Sequence, residues 1–218
     1  MRAKIRSIIN SSGFIVILGL VIVPLASFIL ITLSEESPLY ASISRIAWAL
    51  DHWWATFIWG MIVMISILFM THKTFSISPL SDRAKGILTS CQFVNIGLVF
   101  IGCLAFPAKT GDGEALLINH LHDIVTISAW VLYGIGLIFF SLLLHRKDRF
   151  LGLLGMGLMC FTVFSSVFFV RRVIHPDSYV GASAVSEVHI INSLFIFLTV
   201  MYVAEDYARR EVSTAHTP

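Results

Sequence analysis

The residues in this sequence best suited to chemistry are histidines beside acids, and they recur. Asp51-His52, His120-Leu121-His122-Asp123 and Glu187-Val188-His189 each stand at the start of a long apolar run. An ionisable group in a bilayer is costly, about 2.5–3.5 kcal/mol at a helix centre on insertion scales, so its position carries information. On a helix, residues three or four apart share a face and residues two apart do not. His122 therefore lines up with Asn119 and Thr126, His189 with Ser186, Asn192 and Ser193, and His52 with Thr56 and Trp59. His120 and His122 face inward together only if the helix starts between them. Three polar stripes, one per run, are expected to converge in a pocket.

Two chemistries use such a set. Neutral imidazoles at one locus can bind zinc, which activates water for attack on an amide or ester while a nearby acid moves the proton. In that reading His52, His122 and His189 are the metal ligands and Asp123 or Glu187 is the general base. No compact motif of the His-Glu-x-x-His kind supports it. Alternatively, His52 and His122 on facing helices ligate haem b, making a small electron carrier. Arg45 and Asp51-His52-Trp53-Trp54 resemble the Arg…His-Trp stretch of such helices, although histidines at helix starts are shallow for a haem plane. In a third reading the clusters only join helices, or a partner membrane protein, and the chain is an accessory subunit. Histidine, aspartate, tryptophan and asparagine are all ordinary at a membrane interface, where water still reaches them. The pair Arg171-Arg172, followed by His175-Pro176-Asp177, suits an anionic headgroup, as arginine forks do, or simply snorkels at the boundary.

The elements that must position these residues follow from hydropathy. With 57% hydrophobic and 13% charged residues in 218, a soluble fold has nowhere to hide the apolar surface. The apolar residues fall in runs near the 20 or so positions that cross a hydrocarbon core as helix. Six spans are expected, at about 14–33, 51–70, 87–106, 119–144, 150–170 and 186–204, followed by a tail at 205–218. The fold class is thus all-α, a single domain over 1–218, an integral membrane bundle of six transmembrane helices. A net charge of +2 with no basic stripe gives nucleic acid nothing to bind. With the N-terminus in the cytoplasm, the inner segments hold Arg2, Lys4, Arg6, Lys73, Arg83, Lys85, Arg146, Lys147, Arg149, Arg209 and Arg210. The outer segments hold Arg45, Lys109, Arg171 and Arg172. Eleven against four obeys the positive-inside rule, so both termini are expected in the cytoplasm of a multi-pass cell-membrane protein, and the histidine clusters at the outer face.

The first run is long and lacks a small-residue cleavage site, and is expected to remain as a helix. Cys91, Cys103 and Cys160 all lie inside apolar runs and are expected to be small buried packing residues. Gln92 and Asn95 should bond to neighbouring helices, Gly152, Gly155 and Gly157 should mark close helix contact, and Pro24 should kink the first helix.

Three segments carry a family resemblance: Tyr40-Ala-Ser-Ile-Ser-Arg-Ile-Ala-Trp48, Pro107 followed by His120-Leu-His-Asp123, and Gly181…Ser186-Glu-Val-His189. In these the chain resembles the six-helix bacterial and archaeal proteins of domain-of-unknown-function family 998, itself similar in layout to Frag1/DRAM/Sfk1-type membrane proteins. The resemblance implies six helices and a polar site at the outer face, with no established reaction. A remote likeness to membrane-embedded hydrolases of the alkaline ceramidase type implies a metal held by histidines and an acid. This chain departs from that type in having six spans and only His189 in its last helix. The expectation taken forward is a His/acid-lined outer pocket acting on or sensing a lipid-like molecule, with membrane lipid as its partner and hydrolysis the reaction class if it is an enzyme.

Overall fold

The structure, a computed structural model, describes residues 11–33, 43–48, 52–105, 114–173 and 184–215. Side chains are described in these segments except at 44, 45, 48, 103–105, 114–120, 123, 167–173, 184–186 and 212–215. Among the described residues every regular element is helical. We label them α1 (Ser12–Thr32), α2 (Ile43–Trp48), α3 (Trp53–Ile77), α4 (Asp82–Ala105), α5 (Glu114–His145), α6 (Arg149–Val173) and α7 (Ala184–Ala215). All but α2 are long and apolar enough to cross a membrane, so this is a multi-pass membrane protein with the six expected spans.

Cross-helix contacts fix the directions. Trp59 of α3 meets Ser27 of α1, while Gly19 of α1 sits against Met70, so these two helices run oppositely. Gln92 and Gly102 of α4 meet Gly136 and Val125 of α5, Ser141 of α5 meets Gly155 of α6, and Ser165 of α6 meets His189 of α7, each pair antiparallel. Helices α3, α5 and α7 therefore all begin at one end of the bundle, here the upper face. Helices α1, α4 and α6 begin at the lower face.

Lipid offers no hydrophobic drive between helices, so small residues and hydrogen bonds must hold them. Gln92, fully buried, donates from Nε2 to the carbonyl oxygen of Tyr133 at 2.8 Å. That approach needs Gly136, where a Cβ would lie 2.6 Å from Gln92 Nε2. Tyr133 Oη in turn lies 2.6 Å from Thr71 Oγ1 on α3, and below it Phe75 and Phe140 stack with centroids 4.3 Å apart. Asn95, also expected to reach a neighbour, instead donates to Gln92 Oε1 on its own helix and orients that amide. Gly152 and Gly155 seat α6 against His145 and Ser141 of α5 as expected, whereas Gly157 meets nothing within 4 Å.

Helix α7 is the centre, packed by α1, α3 and α6. Of its apolar stretch 56% is buried in protein, against 11% for α4, which lies largely in lipid.

Several expectations are corrected. Helix α3 runs past 70 to Ile77, because Thr74 and Phe75 are still buried beyond the charged turn at His72-Lys73. It stops where Pro79 forces Ser78 into extended backbone. Helix α4 begins at Asp82, with the Ser81 hydroxyl accepting from Ala84 N–H. Helix α7 continues to Ala215, so what was expected as a tail from 205 is helix, with an Asp206–Arg210 pair at 2.8 Å one turn apart. Pro24 is accommodated by a π-helical stretch over Leu18–Ile22. One extra residue in the turn relieves the clash of its ring with the carbonyl four residues back. Cys91 and Cys160 face outward to lipid; the Cys103 side chain lies outside the described residues.

Candidate functional site

The upper face collects the starts of three helices. Helices deliver His52, His122 and His189 to that face, together with Glu187. The side chains of Asp123, Arg171 and Arg172 lie outside the described residues, as do those of Arg45 and His120.

His52 precedes the first turn of α3 and is half-buried; its N–H donates to Ile46 O at 3.3 Å, joining α2 to α3. Along its stripe, Trp59 Nε1 donates to Ser27 Oγ at 3.0 Å, and Ser27 donates to Val23 O. Thr56 Oγ1 is buried with no partner among the described residues. The stripe expected to face a polar pocket thus turns, at Trp59, onto α1.

Glu187 does structural work. Its Oε2 accepts the N–H of Ile43 at 2.7 Å, the first residue of α2. That N–H has no partner within its own helix, and a carboxylate at a helix N-terminus also suits the dipole. The bond anchors the short helix onto the central one. His122 is 8% exposed, and its carbonyl accepts from Thr126 Oγ1 at 2.7 Å.

His189 is the histidine with the most informative surroundings. Its Nε2 lies 2.9 Å from Ser165 Oγ on α6 and 3.5 Å from Ser193 Oγ one turn along α7. The first is a full hydrogen bond and the second is at the outer limit. Ser165 is buried and also lies 3.2 Å from Thr162 O. That carbonyl already takes the hydroxyl of Ser166 at the shorter distance of 2.6 Å. A serine has a single hydroxyl proton: with His189 Nε2 unprotonated that of Ser165 goes to the imidazole, and with Nε2 protonated it goes to Thr162 O. Asn192, on the same face three residues on, holds Oδ1 buried with no partner among the described residues. A buried acceptor left open in lipid is expensive and marks a place that a ligand or water can satisfy.

Ser165 was not singled out from sequence. The signal was there: Thr162, Ser165 and Ser166 place three hydroxyls at helical spacing in an otherwise apolar stretch. Among the described residues, no group of three His, Cys, Asp or Glu side chains is placed to hold a metal. His52, His122, His189 and Glu187 are all described, and they do not assemble a zinc centre by themselves.

Below this face an open apolar groove of about 380 Å³ runs between α1 and α3. Leu18, Ile22, Phe57, Met61, Ile65 and Ser66 line it. Its upper end begins at Phe57, one turn below His52 and beside the exposed indoles of Trp53 and Trp54. Such a volume falls within the range of small-molecule sites, about 300–1,000 Å³. No family model matches the chain, and neither a curated protein nor a solved structure matches it.

Proposed function

We propose that this protein binds a lipid-like amphiphile at its upper face and cleaves an acyl ester in it, with Ser165 as nucleophile and His189 as base. The observation that carries the reading is the 2.9 Å bond between Ser165 Oγ and His189 Nε2, the separation a nucleophile and its base require. As Oγ attacks the ester carbonyl carbon, its proton passes to Nε2. The ester C–O bond breaks, and the same proton goes to the departing alkoxide. Water then repeats the cycle on the acyl-serine, releasing the acid and restoring Ser165. Asn192, one turn from His189, would hold the carbonyl oxygen through its Nδ2 donor, its open Oδ1 being an acceptor that the oxyanion does not use. The groove supports an apolar tail, with the headgroup at the interface beside Trp53 and Trp54. Arg171 and Arg172 are assigned to an anionic headgroup from sequence alone. The excess of basic residues at the lower face supports a reading in which that face is cytoplasmic and the site lies on the outer side of the cell membrane.

A fluorophosphonate probe on detergent-purified protein tests the reading, because it reacts only with an activated serine. We expect a single adduct at Ser165, lost in His189→Ala protein that still folds. A folded wild-type protein with no adduct, and no hydrolysis of a panel of acyl esters, would reduce the pair to a joint between α6 and α7. The accessory-subunit reading would then stand, favoured by the way Glu187 and His189 tie neighbouring helices to α7.

A further inference from the structure

At the opposite end of the central helix stands a group with no part in the proposed reaction. Glu205 is 1% exposed, and neither Oε1 nor Oε2 has a hydrogen-bond partner among the described residues. A carboxyl so enclosed is unusual in any protein and more so in a bundle bathed in lipid. It is retained at a cost, and an ionisable residue in such a place is a functional site in the first instance.

The surrounding charges are mostly committed elsewhere. Lys85, Arg209 and Asp148 lie close enough to act on Glu205 electrostatically. Asp148 caps α6, accepting from Leu151 N–H at 3.0 Å. Asp206, next in sequence, is paired with Arg210 at 2.8 Å. From α3, Lys73 lies over the Phe69 ring and His72 is exposed; from α6, Arg149 is exposed; the described part of α1 carries no titratable side chain. On α5, His145 holds Nδ1 buried with no partner among the described residues. Arg146 and Lys147, in the turn after it, are exposed, as are Asp82 and Arg83 on α4 and Glu211 at the end of α7. Tyr202 is one turn above Glu205 on α7. Of the two cations that act on Glu205, Lys85 has the larger effect; its Nζ donates to Ser76 O at 3.1 Å and stands 3.9 Å from the fully exposed Asp82 carboxylate, while Arg209, one turn on from Glu205, is exposed. The four-carbon side chain of Lys85 is flexible, and its contact to Asp82 is exposed and long.

We propose that Glu205 is a proton-binding site at the lower face, holding its proton in the enclosed arrangement seen here and releasing it when Lys85 turns in as counter-ion. The proton leaves to water at the lower face, the carboxylate pairs with the ammonium, and no other reactant is required. An uncompensated carboxylate in so dry a place is the arrangement the protein must avoid, and a proton or an ammonium are the two ways to avoid it. The site is independent of the serine and histidine at the other end, so either proposal can fail alone.

The test uses full-length protein reconstituted in liposomes and dicyclohexylcarbodiimide, which adds to protonated carboxyls in apolar surroundings, with adducts mapped by mass spectrometry. Glu205 should be modified, with the rate falling about tenfold per pH unit beyond its titration point. In Lys85→Met protein that fall should move to higher pH, because the group that stabilises the charged form is gone. The second measurement is the infrared carbonyl band of a protonated carboxyl, assigned by its absence from Glu205→Gln protein, an isostere of the protonated acid. A band that titrates supports the proposal. No such band, a band that persists unchanged across pH, or an identical profile in Lys85→Met protein overturns it.

Discussion

Replacing Ser165 with alanine separates a catalytic pair from a structural one, because the two roles differ in size. The substitution removes one oxygen from a buried site, leaves Ser166 on the Thr162 carbonyl, and takes from His189 the hydroxyl at 2.9 Å. A hydrogen bond between membrane helices contributes about 0.6 kcal/mol on average and up to about 1.7 kcal/mol. Loss of that bond should therefore cost stability within this range, with little cavity added. If Ser165 is the nucleophile, the loss on the reaction side is far larger. A positioned proton-transfer partner alone contributes roughly 10²–10⁴ in rate, or about 2.7–5.4 kcal/mol of barrier. The assay pairs reversible unfolding in mixed micelles with hydrolysis of the best ester from the panel. Stability lowered by less than about 2 kcal/mol with activity lost by at least about a hundredfold is the expected result. Folded Ser165→Ala protein with wild-type hydrolysis would refute the assignment, and so would an activity loss no larger than the stability loss explains. His189→Gln should give the same activity loss, and the double variant little more, since the pair acts as a unit.

Gly136→Ala should destabilise by about 1–3 kcal/mol in the same unfolding assay, because its Cβ would press on the Gln92 amide, whereas Gly157→Ala should be neutral. Met61→Trp should fill the groove and reduce the lipid that co-purifies with the protein, read by native mass spectrometry, with melting temperature little changed. Cys91 and Cys160 should react with a membrane-soluble maleimide and resist a charged one, since both face lipid. A Lys147→Cys substitution in the turn between α5 and α6 should be labelled by a charged maleimide only in opened spheroplasts.

The spans were legible because run length and hydropathy act locally: each apolar stretch must be helical to satisfy its backbone in lipid, whatever its neighbours do. Their lower ends were less so. Thr74, Phe75 and Glu205 lie beyond the point where average hydropathy falls, yet neighbouring helices cover them. The burial of cysteines was misjudged for a related reason: an apolar run has two kinds of apolar surroundings, and Cys91 and Cys160 meet lipid where Ile96 and Met159 meet protein. At the site, periodicity correctly put Ser193 on the face of His189 but was blind to Ser165, because the spacing within one helix says nothing about which residue of another it meets.

The same distinction between lipid and protein surroundings explains why most of the buried open polar atoms among the described residues lie on α7. A helix mostly in lipid can carry a polar side chain only if it is satisfied by the immediate structure. On α4, Gln92 and Asn95 bond to Tyr133 O and to each other, and nothing of those bonds is left for a ligand. Helix α7, covered on several sides by α1, α3 and α6, is shielded enough to keep polar atoms in reserve. Asn192 Oδ1, Thr199 Oγ1 and both oxygens of Glu205 are buried there without partners among the described residues. Thr199 is instructive, since it faces Gly19, inside the π-helical stretch of α1, where no side chain comes between it and the backbone. Widening that turn for Pro24 disturbs the regular bonding of α1 just where α7 presents a hydroxyl. Among the described residues the central helix carries most of the buried open polar atoms, at both ends and its middle, with only Thr56 Oγ1 on α3 and His145 Nδ1 on α5 besides, and it is there that a bound ligand or a proton would find partners.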